Sequence, residues 1–315
     1  MIPLAEIQRA RERIAGAAVR TPLVRLHADA PAEIWLKLEN LQPIGSFKIR
    51  GATNAIRAAS RDDLAGGVVT ASAGNMAQGV AWAAREAGVP ATIVVPDHAP
   101  QTKLDAIERL GGRILKVPYE QWWQAIEESR FEGADGLFVH PVQDELVMAG
   151  NGTIGLELIE DLPDVDTVLV PFGGGGLSTG IASAVKQLRP ETKVFAVEPE
   201  TAAAVSAALA ADGPTEIEYM PSFVDGAGAR KALPAMWPLV SEVLDGAHVA
   251  TLDETAAAIR LLAERVRVIA EGAGALGLAA ALSGRVPGRR IVCIVSGGNI
   301  DASRLAAILG GSTPD

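Results

Sequence analysis

From residue 68 onward, short apolar runs alternate with amphipathic stretches, and this alternation constrains the fold more than any other feature. "VVTAS" is followed by the helical "NMAQGVAWAAREAG", then by "ATIVVP", "PQTKLDAIERLGG" and "RILKVP". The helical pieces close with Gly88 and Gly111, which suit C-terminal stops, and Pro100 suits a first turn. The strand pieces are rich in Val and Ile and nearly unbroken, as strands covered on both faces should be. A second alternation runs through "TVLVPF", "LSTGIASAVKQL" and "KVFAVEP". Beyond an irregular stretch, "DETAAAIRLLAERVRVIAEG" reads as a helix capped by Asp253, with Ile259, Leu262, Val266 and Ile269 on one face. "RIVCIVSGG" closes the series as a strand. Strands and helices in turn mean parallel sheets and an α/β class. The two blocks part near residues 141–152, so two such units are expected, with no repeat and no low-complexity linker.

The 315 residues are ample for a sizeable core, and 49% hydrophobic with 21% charged residues reads as globular. A net charge of −10 argues against nucleic acid or an anionic membrane as partner. No apolar run approaches the ~18 residues of a membrane span, and the first residues lack a secretory apolar region. The single cysteine, Cys293, cannot pair within the chain, which suits a reducing compartment. A cytoplasmic location is expected.

Each block carries a strand, small residues and then a helix start: "TASAGNMAQ" in the first and "VPFGGGGLSTG" in the second. A helix N-terminus offers free backbone N–H groups and partial positive charge, and glycine lets an anion approach. Tight strand-to-helix geometry explains one glycine pair. Four consecutive glycines, Gly173, Gly174, Gly175 and Gly176, exceed what one turn requires and point to phosphate. A nucleotide is the rival ligand. The run lacks the Lys-Ser/Thr ending of an ATP loop. It also lacks the helix-packing glycine of a dinucleotide fingerprint, having Ser178 or Thr179 there, although Glu198 stands near the position of a ribose-binding acid. "VSGGNID" presents Ser296 at the carboxyl edge of a strand, where α/β ligands bind, or else forms a simple turn. "AEGAGALG" at 270–277 reads as helix–helix packing through small residues.

"GSFKIRG" frames Lys48 with glycines and Phe47. A lysine on a solvated helix needs no such frame; one that performs covalent chemistry needs close backbone approach and partial desolvation. Free lysine has a pKa of ~10.4 and is a poor nucleophile unless its surroundings lower that value. A lysine, a phosphate cradle and a polar strand end together describe a cofactor with an aldehyde, a phosphate and a ring nitrogen, which is pyridoxal phosphate.

"ENLQPIGSFKIRGA", "TASAGNMAQGVA", "VPFGGGGL", "VFAVEP", "EGAGALG" and "VSGGNID" occur in the order shown by the threonine dehydratase and serine racemase branch of fold-type II pyridoxal enzymes. The chain resembles that family from Thr21 to Asp301. The resemblance implies a two-domain, tryptophan synthase β-like fold, each domain a twisted sheet flanked by helices. Residues 1–60 and 145–315 would form a large cofactor-binding domain, and 61–144 a small domain binding the substrate carboxylate. It implies that Lys48 is the catalytic residue, covalently joined to the cofactor, with Phe47 beside the ring. Asn75 would bond the ring hydroxyl, Gly173 to Gly176 would hold the phosphate, and Ser296 would meet the pyridine nitrogen. Ser72, Ala73, Gly74, Asn75 and Met76 would line the substrate site, with the amides of Ser72, Gly74 and Asn75 taking its carboxylate. A neutral hydroxyl at the ring nitrogen weakens the electron sink and favours prompt elimination over a long-lived carbanion. The family suggests a homodimer.

The sequence departs from the family at several positions. Racemases of this branch carry a serine where this chain has Ala73, so a second acid–base group is missing. The cation site of some relatives keeps Glu198 and a carbonyl at Ala202 but has Ala204 in place of aspartate, so no metal is expected. Met76 stands where a histidine is usual, Val142 where relatives have phenylalanine or asparagine, and Asn151 replaces glutamine. The chain ends soon after Asp301, so the regulatory domain of biosynthetic threonine dehydratases is expected to be absent.

The expected activity is a pyridoxal-phosphate-dependent dehydratase, an ammonia-lyase that converts a β-hydroxy amino acid, by default L-threonine or L-serine, to a 2-oxo acid. A dehydratase preferring a larger substrate such as 3-phenylserine, an amino-acid racemase, a nucleotide-binding oxidoreductase and a non-catalytic amino-acid sensor are the alternatives.

Overall fold

The computed structural model of the chain describes residues 1–314. Among these residues ten strands form two sheets. The six-stranded sheet is built from β1 (Leu23–Arg25), β2 (Glu33–Lys37), β7 (Thr167–Pro171), β8 (Lys193–Pro199), β9 (Gly246–Ala250) and β10 (Arg290–Ile294), in the order β1-β2-β10-β7-β8-β9. All neighbours are parallel except β1, which pairs antiparallel with β2 at the edge. The four-stranded sheet contains β3 (Val68–Ala71), β4 (Ala91–Pro96), β5 (Gly112–Val117) and β6 (Leu137–Phe138), all parallel, in the order β5-β4-β3-β6. The expected α/β class with helix-flanked sheets is the one observed.

Every residue of β3 and β7 is buried, as parallel strands covered on both faces require. Successive side chains point to opposite faces and supply different cores. On β7, Val168 and Val170 enter one cluster while Leu169 enters another. On β10, Val292 and Ile294 divide in the same way from Ile291 and Cys293. In the smaller sheet Ile93 and Val95 face one core and Val94 the other.

Three helices, Lys48–Ala58, Glu145–Asp161 and Gly176–Leu188, pack backbone against backbone. A Cβ on Gly150 would lie 2.5 Å from the Arg50 carbonyl oxygen, and one on Gly180 would lie 2.3 Å from that of Met148. The two glycines therefore permit an approach that fixes the start of the Lys48 helix relative to the glycine run. An ionic cluster anchors the same helix from within. Arg50, 1% exposed, donates to Glu39 at 2.8 and 2.9 Å and to Glu157 at 2.7 and 3.0 Å. Lys37 closes the cluster by pairing with Glu157.

Three local expectations are corrected. The helix expected from Asp253 is capped by Thr251, whose hydroxyl accepts the Glu254 amide while the Glu254 carboxylate accepts the Thr251 amide. It continues only through a π-helical turn at Leu262–Val266, and Arg267 at φ 65° ends it, so Ile269 is exposed rather than on the buried face. Pro100 stands at the N-cap, one position ahead of the first turn. The helix of "EGAGALG" does pack on the helix Leu252–Leu261, but its glycines meet a loop and a strand: a Cβ on Gly274 would lie 2.4 Å from the Gly297 oxygen, and one on Gly277 3.2 Å from that of Leu169. Gly88 and Gly111 do end their helices in left-handed conformations.

Candidate active site

The segment before Lys48 is tied to the end of β10. Ser46 bridges Gly297, and the Phe47 amide donates to the Ser296 carbonyl at 3.0 Å. Gly45 makes the turn at φ 72°, where a Cβ would lie 2.6 Å from Asn299 Oδ1. Lys48 is thereby delivered beside Ser296 as the first residue of its helix. Its Nζ donates to the Pro141 carbonyl at 2.9 Å and lies 5.2 Å from the centre of the Phe47 ring. Burial lowers its pKa to about 8, so at pH 7 about a tenth of the amine is unprotonated, far more than for a free lysine.

The glycine run follows β7 at its carboxyl edge. Gly175 takes φ 101° and forms the N-cap of the helix Gly176–Leu188, which has no side-chain cap. Val142 packs under the run: a Cβ on Gly174 would lie 2.5 Å from Val142 Cγ2, and one on Gly176 2.9 Å from the Val142 oxygen. Ser178 and Thr179, both buried, fold their hydroxyls back onto the Gly175 carbonyl at 3.0 and 2.8 Å. The helix Asn75–Ala87 starts in the same way after β3, with Gly74 as N-cap and no side-chain cap. Its approach is open, because a Cβ on Gly74 would meet nothing within 4 Å. Two uncapped helix starts thus offer anion sites, one on each sheet.

One cavity of about 560 Å³ joins these parts. Phe47, Lys48, Ser72, Ala73, Gly74, Asn75, Met76, Gly173, Gly174, Gly175, Gly176 and Ser296, every site residue expected from the sequence, line it. The structure also brings in residues that the sequence reading missed. Glu271 Oε1 accepts the Asn75 side-chain amide at 2.7 Å, and Asn299 donates to Asn75 Oδ1 at 2.7 Å. Burial, reinforced by Asp225, raises the Glu271 carboxyl to about 8. Asp225 is itself paired with Lys103 at 2.8 Å. Trp122, Ile126 and His98 form a further wall. The available signals were slight: Glu271 opens the motif read as packing, Asn299 sits inside "GGNID", and Trp122 belongs to an adjacent tryptophan pair in an aromatic-poor chain.

Glu198, the one carboxylate matching the relatives' cation site, accepts the amides of Val205 and Ser206 at 2.7 and 2.8 Å and the Ser206 hydroxyl at 2.9 Å. It caps a helix. Among the described residues no cluster of three or more His, Cys, Asp or Glu is arranged to hold a metal.

A cavity with a desolvated lysine, a glycine-built anion cradle and a second open helix start defines a covalent-cofactor enzyme of the α/β class. Residues 14–297 match the family described as "Pyridoxal-phosphate dependent enzyme", and the chain belongs to that family. It is 42% identical over 316 residues to an L-threonine ammonia-lyase of Thermotoga maritima, covering 98% of this chain and 78% of that protein. Among solved structures it resembles maize serine racemase, with a TM-score of 0.88 and 34% identity over 96% of this chain and 95% of that one. It also resembles the processed threonine deaminase isoform 2 of Solanum lycopersicum, with a TM-score of 0.87 and 33% identity over 98% and 94%. The site fits the cofactor on its own geometry. The cradle has no room for a side chain at Gly174 and needs a left-handed residue at Gly175, and the Lys48 amine is held by a carbonyl rather than a carboxylate.

Proposed function

We propose that this enzyme is an ammonia-lyase acting on a β-hydroxy α-amino acid, L-threonine or L-serine, and yielding a 2-oxo acid and ammonia. The observation that carries the reading is the Lys48 amine, lowered to about 8 and set in one cavity with both uncapped helix starts. Relatives named threonine ammonia-lyase support it.

When bound, pyridoxal phosphate supplies an electron sink for the pair released from the Cα–H bond. In our reading the amides of Gly173 to Gly176 hold its phosphate at the helix start. The Gly74 and Asn75 amides hold the substrate carboxylate, which orients the Cα–H bond toward Lys48; the Ser72 amide, expected to join them, instead donates to the Val94 carbonyl at 3.1 Å. The unprotonated Lys48 amine takes that proton. Asn75, clamped between Glu271 and Asn299, retains a second amide hydrogen for the ring hydroxyl. Ser296 offers the ring nitrogen a neutral hydroxyl, which disfavours carbanion accumulation and favours loss of the β-hydroxyl as water. The released enamine takes up water and gives the keto acid and ammonia, so the water lost is regained and threonine yields 2-oxobutanoate.

The likeness to serine racemase supports a second reading, but this chain has Ala73 where the family resemblance implies a serine in racemases of this branch. Incubation with L-serine, followed by assay of pyruvate and chiral chromatography, decides between them. The dehydratase reading expects pyruvate with little D-serine, and substantial D-serine would overturn it. We further assign cofactor binding to residues 1–60 and 145–315 and carboxylate binding to 61–144. We also propose a homodimer, which the family resemblance suggests, and a cytoplasmic location, which the single cysteine suits; light scattering on the purified protein tests the dimer.

A further inference from the structure

One wall of the cavity is largely apolar. Trp122 and Ile126 lie one turn apart on the helix Tyr119–Glu128, so both present the same face to the cavity. Tyr119 braces the Trp122 ring at 5.5 Å between centroids, and His98 in turn lies 6.0 Å from Tyr119. Val142 and Met76 continue the lining. Besides Lys48, the ionisable groups of the cavity are engaged: Lys103 pairs with Asp225, and Glu271 accepts the Asn75 side-chain amide.

His140 joins the two halves of this wall. Its Nδ1 accepts the amides of Val142 and Gln143 at 3.0 and 2.8 Å, so the hydrogen is carried by Nε2, which donates to the Ile126 carbonyl at 3.1 Å. Burial lowers its pKa to about 4, so this neutral bridge persists through the physiological range. The bridge ties the helix that carries Trp122 and Ile126 to the segment that carries Val142. A hydroxymethyl group or the methyl of threonine leaves the Trp122 and Ile126 surface uncovered, whereas an aromatic ring offers ~150–250 Å² to cover it.

We infer that the preferred substrates are β-hydroxy α-amino acids with a large apolar, aromatic β-substituent, and that Trp122, Ile126 and Val142 set this preference. The inference rests on the elimination chemistry proposed above and extends it. For 3-phenylserine the β-hydroxyl leaves as water, the enamine is hydrolysed, and phenylpyruvate and ammonia form with no added oxidant or reductant.

Steady-state kinetics of the holoenzyme on L-serine, L-threonine, 3-hydroxyleucine and both diastereomers of L-3-phenylserine test it. At least one phenylserine diastereomer is expected to match or exceed threonine in kcat/KM. One added methylene alone is worth about 10- to 200-fold, so a steady fall in kcat/KM with substituent size would overturn the inference and leave the dehydratase reading standing. Keto acid from none of these substrates would overturn both. Trp122→Ala is expected to lower the phenylserine-to-threonine ratio of kcat/KM about tenfold or more. Ile126→Ala tests the same ratio if the tryptophan variant does not fold, and an unchanged ratio in the folded variant removes the wall from specificity.

Discussion

Glu271 and Asn75, 196 positions apart in sequence, meet at 2.7 Å, carboxyl oxygen to side-chain amide, where the two uncapped helix starts face one cavity. The carboxyl is buried, and its pKa rises from 4.5 to about 8. Because the folded value exceeds the unfolded one, the stability it contributes is fully present below about pH 4.5 and lost as pH rises through about 8. Glu271→Gln keeps an acceptor for Asn75 and removes the titration. Urea unfolding of the cofactor-free proteins between pH 5 and 8 should show wild type losing stability relative to this variant as pH rises. A difference that stays constant with pH would contradict the assignment.

The buried cluster around Arg50 predicts a large stability effect two residues from Lys48. Arg50→Ala strands Glu39 without its paired cation and leaves Glu157 with Lys37 alone, and breaking a buried pair from one side costs about 3–5 kcal/mol. Urea midpoints should fall accordingly. A loss below about 1 kcal/mol, the range of exposed pairs, would show that water reaches the cluster.

Val142 and Gly174 should be coupled in cofactor affinity. Gly174→Ala places a methyl group 2.5 Å from Val142 Cγ2, and the cradle must shift to accommodate it. We expect about a tenfold rise in the Kd for pyridoxal phosphate, equivalent to about 1.4 kcal/mol. Adding Val142→Ala should recover part of it, as neighbouring sites that share a contact behave. Strictly additive losses would separate the two residues.

Much of this architecture was legible because the relevant signals are local. The runs at β3, β4, β7, β8 and β10 announce buried parallel strands by composition, and Gly88 marks a helix end because left-handed backbone favours glycine. Lys48, the glycine run and Ser296 were visible as unusual residues in short frames. What stayed hidden depends on contacts between distant segments. Glu271 becomes a partner of Asn75 only after both sheets are assembled, and its motif reads equally well as packing. Thr251 and Asp253 both suit a cap, and the reciprocal bonds with Glu254 decide it. The apolar period continues to Ile269, yet the backbone turns left-handed at Arg267, so periodicity overran the helix. Trp122 carries no local signal of its role, because only the assembled cavity gives its face a direction.

Ser296→Asp tests the weak electron sink. An aspartate would stabilise a protonated pyridine and lengthen carbanion life, so elimination should slow and transamination should rise. Keto-acid rates, with pyridoxamine phosphate measured after turnover, would show it. Unchanged partitioning would remove Ser296 from control of the reaction.

The central claim is that Lys48 is the covalent anchor for the cofactor, and peptide mass mapping after borohydride reduction of the cofactor-loaded protein addresses it directly. The account predicts the reduced cofactor mass on the peptide containing Lys48 and on no other lysine. Recovery of that mass on Lys103, the other lysine of the cavity, would contradict it.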